Sequence, residues 1–344
     1  MKIDDIAKLA NVSKSAVSLA LNGKPGVSPE TRDKILRIAQ ETGYVQRSQL
    51  HARQVFKSKR YLRLAALTNS GIVLAEYEKQ PFFTELIRHI EDQCSSFGYS
   101  LLFSSIQEGN LLGEIRQLAE DREAAGLILL GTNLSREQTA MIAEQAAPLV
   151  VLDTCYESLD ADFIVMNNFM GGWQAANHLI ELGHRRIGYV QSRSRMYNFD
   201  ARKRGFEAAL REHSLSVDKN HLFTLAPTVV SSQEEFVQGW AGLAGERPTA
   251  LFCECDYIAI SVIKSAHELG IRVPDELSVV GFDNISEAEV ITPELTTIHV
   301  AKEKIAALAV ERLVRLTEQE HNPLHLKTFV DTSLVVRKST RALP

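Results

Sequence analysis

The chain has 344 residues, 45% of them apolar and 24% charged, which is ordinary for a globular protein and enough for two or three domains with sizeable cores. No apolar run reaches the roughly 20 residues that span a bilayer, and the N-terminus, MKIDDIAKLA, lacks a signal-peptide profile. The net charge of −5 is uneven: residues 1–60 carry +7 and the remainder −12, so a basic head suited to a polyanion sits on an acidic body.

In chain order, Ile3, Ile6, Ala7, Leu9 and Ala10 recur at helical spacing and predict a first helix over about 3–10. A tight turn at Asn11 leads to Ser13, whose hydroxyl can accept from the first free N–H groups of a second helix over about 14–22. Ser28-Pro29 opens a third over about 29–42, with proline in the first turn and Gly43 as its left-handed cap. Ile6, Leu9, Val12, Val17, Leu21, Ile35 and Ile38 are the expected small core. Helix, turn and helix in so few residues make a helix-turn-helix, whose second helix enters the DNA major groove. Lys14, Ser15, Ser18 and Leu19 lie on the outer, N-terminal side of that helix. Lys14 can donate to guanine O6 or N7, or to phosphate; the serines can serve either.

The next stretch, YVQRSQLHARQVFKSKRY, has five Lys/Arg and neither Gly nor Pro. The expected organisation is a head over 1–46, a hinge or linker over 47–60 and a core over 61–344. In the core, apolar runs alternate with amphipathic helices. The predicted strands are 62–67, 99–105, 125–131, 148–154, 162–168, 185–190, 249–255 and 277–283, with room for more near 221–226 and 326–337. Helices such as PFFTELIRHIEDQCSSFG and DYIAISVIKSAHELG lie between them. Continuous apolar strands covered by helices imply parallel sheets. The expected fold is an all-α helix-turn-helix head plus an α/β core of two doubly wound lobes.

Chemistry is scarce. There is no G-x-S-x-G, G-x-G-x-x-G, Walker loop or H-E-x-x-H. Cys253-x-Cys255 has no second pair to complete a zinc set, and four cysteines in a chain of this length point to free thiols in a reducing compartment. His184 and His299 lack an acidic partner at useful spacing. No catalytic residue, metal or cofactor is expected, and the expected location is cytoplasmic.

Several long stretches resemble the lactose/galactose-repressor (LacI/GalR) family of bacterial transcription regulators. In the head the likeness is DDIAKLANVSKSAVSLALNGKPGVSPETRDKI. In the body it is PFFTELIRHIE, GHRRIGYV, ARKRGFEAAL, PTALF, LGIRVPDELSVVGFDN, TPELTTI and LVVRKST. The resemblance implies a homodimer gripping a partly palindromic double-stranded DNA operator. It also implies a periplasmic-binding-protein-like core with a small-molecule effector, a sugar or sugar derivative, between its lobes. The expected lobes are about 61–160 with 290–325, and about 161–289 with 326–340. The expected DNA-contacting set is Lys2, Ser13, Lys14, Ser15, Ser18, Leu19, Asn22, Ser28, Thr31, Arg47 and Val55. The expected effector contacts are Asn69, Phe82, Asp153, Arg193, Arg195, Arg202, Cys255 and Asp283. Asp153, Asp283 and Arg202 stand at or just after strand ends, where such sheets bind ligands.

Departures from the family pattern carry expectations of their own. Ala16-Val17-Ser18-Leu19 replaces the common Thr-Val-Ser-Arg, which implies an unusual operator. Gln46-Arg47 replaces a Pro-Asn pair in the hinge. Family hinges insert a leucine that kinks the minor groove. Counting from Gly43-Tyr44 places Arg53 there; counting from Ala52-Arg53, with two residues inserted, places Val55, which the need for an apolar wedge favours. GIVLAEYEKQ (71–80) is longer than usual and reads as a mobile surface loop, with a place at the cleft or dimer interface as the other option. Cys255 stands where the family has asparagine, and Arg193 and Arg195 stand where it has small uncharged residues. Arginine forks suit phosphate or carboxylate, so an anionic effector such as a sugar phosphate or acidic sugar is one expectation, and two arginines that simply point into water are the other. The tail lacks a heptad segment, which favours a dimer over a tetramer. A regulator controlled by a docking protein corepressor, or a sugar-binding or enzymatic protein without DNA binding, are the alternatives.

Overall fold

The structure is a computed structural model that describes residues 7, 9–21, 26–41, 61–69, 71–107, 110–146, 148–243, 245–318 and 324–343. The chain forms two compact units, Met1–Arg60 and Tyr61–Pro344. No helix among the described residues is long and apolar enough to cross a membrane.

In the first unit residues 7, 9 and 10 are helical, and the turn after them is a Schellman closure. Asn11 takes the left-handed conformation (φ 55°), which asparagine tolerates better than most residues. The Val12 N–H then donates to the Ala7 carbonyl at 3.0 Å. Helix α1 (Lys14–Leu21) follows, and the Ser13 hydroxyl accepts from the Ala16 N–H at 3.1 Å, as its capping position predicts. Helix α2 (Pro29–Glu41) carries Glu30 in its first turn, where the helix dipole favours an acid. Ala7, Ala10, Val17, Ala20 and Ile35 form the core, with Val12, Val27 and Ile38 packed against it. Leu9, expected inside, is 56% exposed. Ala7 and Ala10, three apart, share the buried face, and Leu9 points away from it. Ile6 lies outside the described residues, as does the side chain of Leu21.

The second unit contains two six-stranded sheets. Its strands are β1 (Tyr61–Thr68), β2 (Ser100–Gln107), β3 (Ala124–Leu130), β4 (Leu149–Leu152), β5 (Asp162–Met166), β6 (Ile187–Ser192), β7 (Leu222–Leu225), β8 (Ala250–Cys253), β9 (Ser278–Asp283), β10 (Thr296–Val300), β11 (Lys327–Val330) and β12 (Thr332–Val335). The orders are β11-β5-β4-β3-β1-β2 and β12-β10-β9-β8-β6-β7. Among the described residues all pairings are parallel except that of β12 with β10. Within each sheet the first five strands run 2-1-3-4-5, so the strand order reverses between β1 and β3 and again between β6 and β8.

The sheets divide the chain differently from expectation. β5 and β11 belong to the first sheet and β10 to the second. Strand β10, TTIHV, is absent from the predicted strands, because threonines and a histidine interrupt its apolar pattern. Its threonines are nonetheless fully buried, since their hydroxyls have fixed partners: Thr297 donates to Asp256 at 2.5 Å, and Thr296 accepts from the Arg337 N–H at 2.9 Å. The chain therefore crosses between lobes at 166–168, 300–302 and 330–332. Two crossovers are tied together, Asn167 N–H to the Val330 carbonyl (2.7 Å) and the Asn167 amide to Asp331 (2.8 Å). The loop 71–80 is anchored rather than free. Ile72, Val73 and Tyr77 are buried, and Gln80 bonds the backbone of Ile72 and Leu74 at 3.0 Å each. The four cysteines are unbridged and buried.

Helices α6 (Asn168–Glu181) and α7 (Tyr197–Glu212) cross through two glycines. A Cβ on Gly172 would overlap the Arg202 carbonyl oxygen, and one on Gly205 the Phe169 carbonyl oxygen. This backbone contact brings Asn168 to Arg202. By propensity alone, Gly205→Ala should stabilise α7 by about 1 kcal/mol. The overlap is expected to reverse the sign, for a net loss of about 1–3 kcal/mol or more in urea unfolding; an unchanged or higher midpoint would contradict the close contact.

Candidate functional site

The carboxyl ends of both sheets meet at a cleft lined by Ile72, Phe82, Phe83, Thr132 and Asp153 from the first lobe and Met196, Asn198, Phe199, Arg202, Tyr257 and Asp283 from the second. Each polar member stands on a strand end or on the loop or helix start that follows one, because a parallel sheet sends all its carboxyl ends to one side. Asp153 (φ 63°) and Asp283 (φ 109°) hold left-handed backbone conformations that are costly for a residue with a Cβ. Both acids are 6% exposed, so their strand ends turn sharply and aim carboxylates inward.

A continuous hydrogen-bonded path crosses the cleft. Thr132 donates to Asp153 Oδ2 (2.5 Å), and Asn198 from the other lobe donates to Asp153 Oδ1 (2.7 Å). The Asn198 oxygen accepts from Asn168 (2.9 Å), whose own oxygen accepts from Arg202 Nε (2.9 Å). Arg202 also donates to the Glu254 carbonyl (2.5 Å) and to Asp283 Oδ1 (3.0 Å). Its guanidinium lies 3.6 Å from the Phe282 ring centroid. A second bridge has the Phe82 N–H donating to the Tyr257 hydroxyl at 3.4 Å. The space left is about 30 Å³, room for roughly one or two waters.

Burial dominates the electrostatics. It pushes the Asp153 carboxyl up to about 6, against the pull of Thr132, Arg202 and Asn198. Burial also raises Asp283, opposed by Arg202 and Lys302. Asp256, whose carboxylate accepts from the Ile285 N–H and Thr297, rises to about 8 through burial and then the charge of Asp283.

The expected effector residues separate into two groups. Phe82, Asp153, Arg202 and Asp283 line the cleft. Arg193 does not: it is exposed and pairs with Glu235 at 2.5 Å. Arg195 does not either; it pairs with Glu254 (2.7 Å) and Asp200 (2.6 Å). The acids that neutralise them lie mostly far along the chain, which is why the loop reads as an open cationic spot in the sequence. Cys255 is fully buried, its sulfur 3.7 Å from the Pro227 carbonyl, and is not part of the lining. Asn69 is exposed, and its N–H closes the loop onto the Val73 carbonyl. Thr132, Asn168, Asn198 and Tyr257 are absent from the expected set. The rule that selects Asp153, position just past a strand, could have found Thr132 and Asn168.

In the head, Lys14 and Ser15 are exposed on α1 and Leu19 is half-buried. Ser18 belongs to the same helix, but its side chain lies outside the described set. Ser13 caps α1, and Ser28 accepts from the Thr31 N–H (3.3 Å) while donating to its hydroxyl (2.8 Å). Lys2, Asn22, Arg47, Arg53 and Val55 lie outside the described residues.

A capped helix-turn-helix and a two-lobed body with a polar cleft at its strand ends define a class: a DNA-binding regulator on a periplasmic-binding-protein-like core. Residues 2–46 match the bacterial regulatory proteins of the lacI family, and residues 176–340 match a periplasmic binding protein-like domain. The HTH-type transcriptional repressor PurR of Photobacterium profundum is 31% identical over 99% of each chain. The ribose operon repressor of Haemophilus influenzae is 30% identical over 98% of each. The solved lac repressor dimer bound to operator and the anti-inducer ONPF shares the fold with a TM-score of 0.71, at 21% identity over 99% of each chain. The chain belongs to the lacI family. It is accordingly a DNA-binding transcriptional repressor and not an enzyme.

The raised Asp153 carboxyl gives a pH dependence of definite sign. The folded state holds this proton more tightly than the unfolded chain, so the group's contribution is full below about pH 4 and is lost as pH rises through about 6. Asp153→Asn keeps both partners, accepting from Asn198 and donating to the Thr132 oxygen. The melting temperature of the variant relative to wild type is expected to climb between pH 4.5 and 7, by the equivalent of about 2–3 kcal/mol. A difference that stays flat with pH would show that Asp153 titrates normally.

Proposed function

We propose that this chain is a homodimeric, cytoplasmic repressor whose hold on a partly palindromic operator is set by a neutral, polyhydroxylated effector in the cleft. The observation that carries the reading is the path from Thr132 to Asp283, which joins the lobes through carboxylates, amides and a guanidinium, groups able to pair with hydroxyls. An effector that replaces the Asp153–Asn198 bond changes the angle between lobes. Phe82, Phe83, Phe199 and Tyr257 supply the apolar walls that sugar rings stack on. Asp153 and Asp283 disfavour an anion, and Arg202, the cation in the lining, already pairs with Asp283. The ribose operon repressor among the relatives supports a sugar-sized ligand, and the lac repressor dimer on its operator supports a paired head. Lys14 and Ser15, with Ser18 and Leu19, are the proposed reading face, Lys2, Asn22 and Arg47 the flanking contacts, and Val55 the minor-groove wedge.

Calorimetry with D-ribose and ribose 5-phosphate separates neutral from anionic recognition. The neutral form is expected to bind and the phosphate to bind at least about tenfold more weakly. Preference for the phosphate would overturn the neutral reading. For the head, gel shift on the protein's own upstream DNA is expected to show Lys14→Ala costing about 1–3 kcal/mol on the preferred site and little elsewhere. An equal loss on every sequence, with a flatter salt slope, would reassign Lys14 to phosphate.

A further inference from the structure

A lysine ammonium has three N–H donors and no acceptor, and burying one is costly unless all three are met. Lys302 is 2% exposed. It opens helix α11 (Lys302–Glu318) two residues after β10 ends, where the chain leaves the second lobe for the first. Its Nζ has three acceptors: Glu85 Oε2 at 2.9 Å, the Asp283 carbonyl at 3.1 Å and the Asn284 carbonyl at 3.4 Å.

Those acceptors belong to different lobes. Glu85 sits on helix α3 (Pro81–Ser96), whose first turn supplies Phe82 and Phe83 to the cleft. The Phe82 ring centroid is itself 5.6 Å from Nζ. Asp283 and Asn284 close the end of β9 in the second lobe, both with left-handed backbones (φ 109° and 50°). A cation on their two carbonyls holds the turn that aims the Asp283 carboxylate at Arg202. Lys302 is not among the residues lining the cavity.

We propose that Lys302 is a positioning residue of the cleft: bonded to Glu85 of one lobe and to the Asp283 and Asn284 carbonyls of the other, it fixes the lobe angle and the direction of Asp283. The lobe-angle half of this statement stands without any ligand. Only its consequence for affinity rests on the cleft being the effector site.

Hydrogen exchange on the full-length protein tests it. Lys302→Met keeps the stem and removes the donors; Glu85→Gln, at a carboxylate 41% exposed, is a milder second variant that leaves Lys302 in place. Both are expected to speed exchange by about tenfold or more in segments 81–86 and 283–287. Those segments contain the Phe82 N–H that bonds Tyr257 and the Ile285 N–H that bonds Asp256. Strand β8 and helix α6 should keep wild-type protection. Exchange raised everywhere, or unchanged in both segments, would overturn the proposal. Titrating D-ribose into the same samples separates the two readings. Ribose affinity that differs between wild type and variants, tighter in the variants because the Lys302 bonds hold the closed arrangement, extends the role to affinity. Failure of the wild type to bind counts against ribose as effector and leaves the exchange result to decide on Lys302.

Discussion

The second lobe's side of the cleft is arranged around one buried guanidinium. Arg202 is 3% exposed, and a charge in that position is tolerated only if it is paired and its donors are met. Three elements supply what it needs: Asn168 at the first crossover, the Glu254 carbonyl past β8 and the Asp283 carboxylate on β9. Phe282 and Phe199 close around it. Asn168 reaches Arg202 because α6 and α7 touch backbone to backbone, which is what Gly172 and Gly205 allow. The glycines set the helix spacing, and the spacing sets the bond from Arg202 to Asn168. The ion pair of Arg202 with Asp283 holds one wall of the cleft.

The same constraint explains the strained strand ends. Asp153 and Asp283 hold costly left-handed backbones, and Asp256 holds its carboxyl over Gly281, where a side chain would collide with it. Three acids buried at the ends of two sheets resist ionisation, through burial first and, for Asp153 and Asp256, through the charge of Asp283. The protein answers with Thr132, Asn198, Thr297, Arg202 and Lys302 rather than with solvent. Such a network is rigid when complete and costly when any member leaves. That property suits a region where the position of one side chain must be felt in both lobes.

Much of this was legible in the sequence, for identifiable reasons. Local signals translated directly: Asn11 and Ser13 fixed the head's turn and cap, and runs such as AGLILLG and LSVVGFD became buried parallel strands. Strand ends pointed to Asp153 and Asp283, and the same rule extended by one or two residues reaches Thr132 and Asn168. What failed depended on partners distant in the chain. Arg193 and Arg195 looked unpaired because Glu235 and Glu254 lie 42 and 59 residues further on. Loop 71–80 looked mobile because nothing local reveals that Gln80 folds back onto Ile72 and Leu74. Strand β10 was hidden because burial of a threonine depends on where its hydroxyl finds a partner, and composition does not say.

The closed cleft also constrains how the proposed switch works. With about 30 Å³ between the lobes, the arrangement seen here excludes a pentose, and it is already bridged by Asp153–Asn198 and Phe82–Tyr257. A ligand moves an equilibrium only by its difference in affinity for the two states. An effector that must displace the Asp153–Asn198 bond to enter has that difference built in, because the closed state offers it no room. Effector binding and lobe closure as seen here are therefore competing uses of the same donors and acceptors. On the proposed function, an effector-bound state must be a wider one, reached by rotation about the three crossovers. Asn167, Asp331 and Lys302 stand at those crossovers, and their bonds are the ones such a rotation must bend or break.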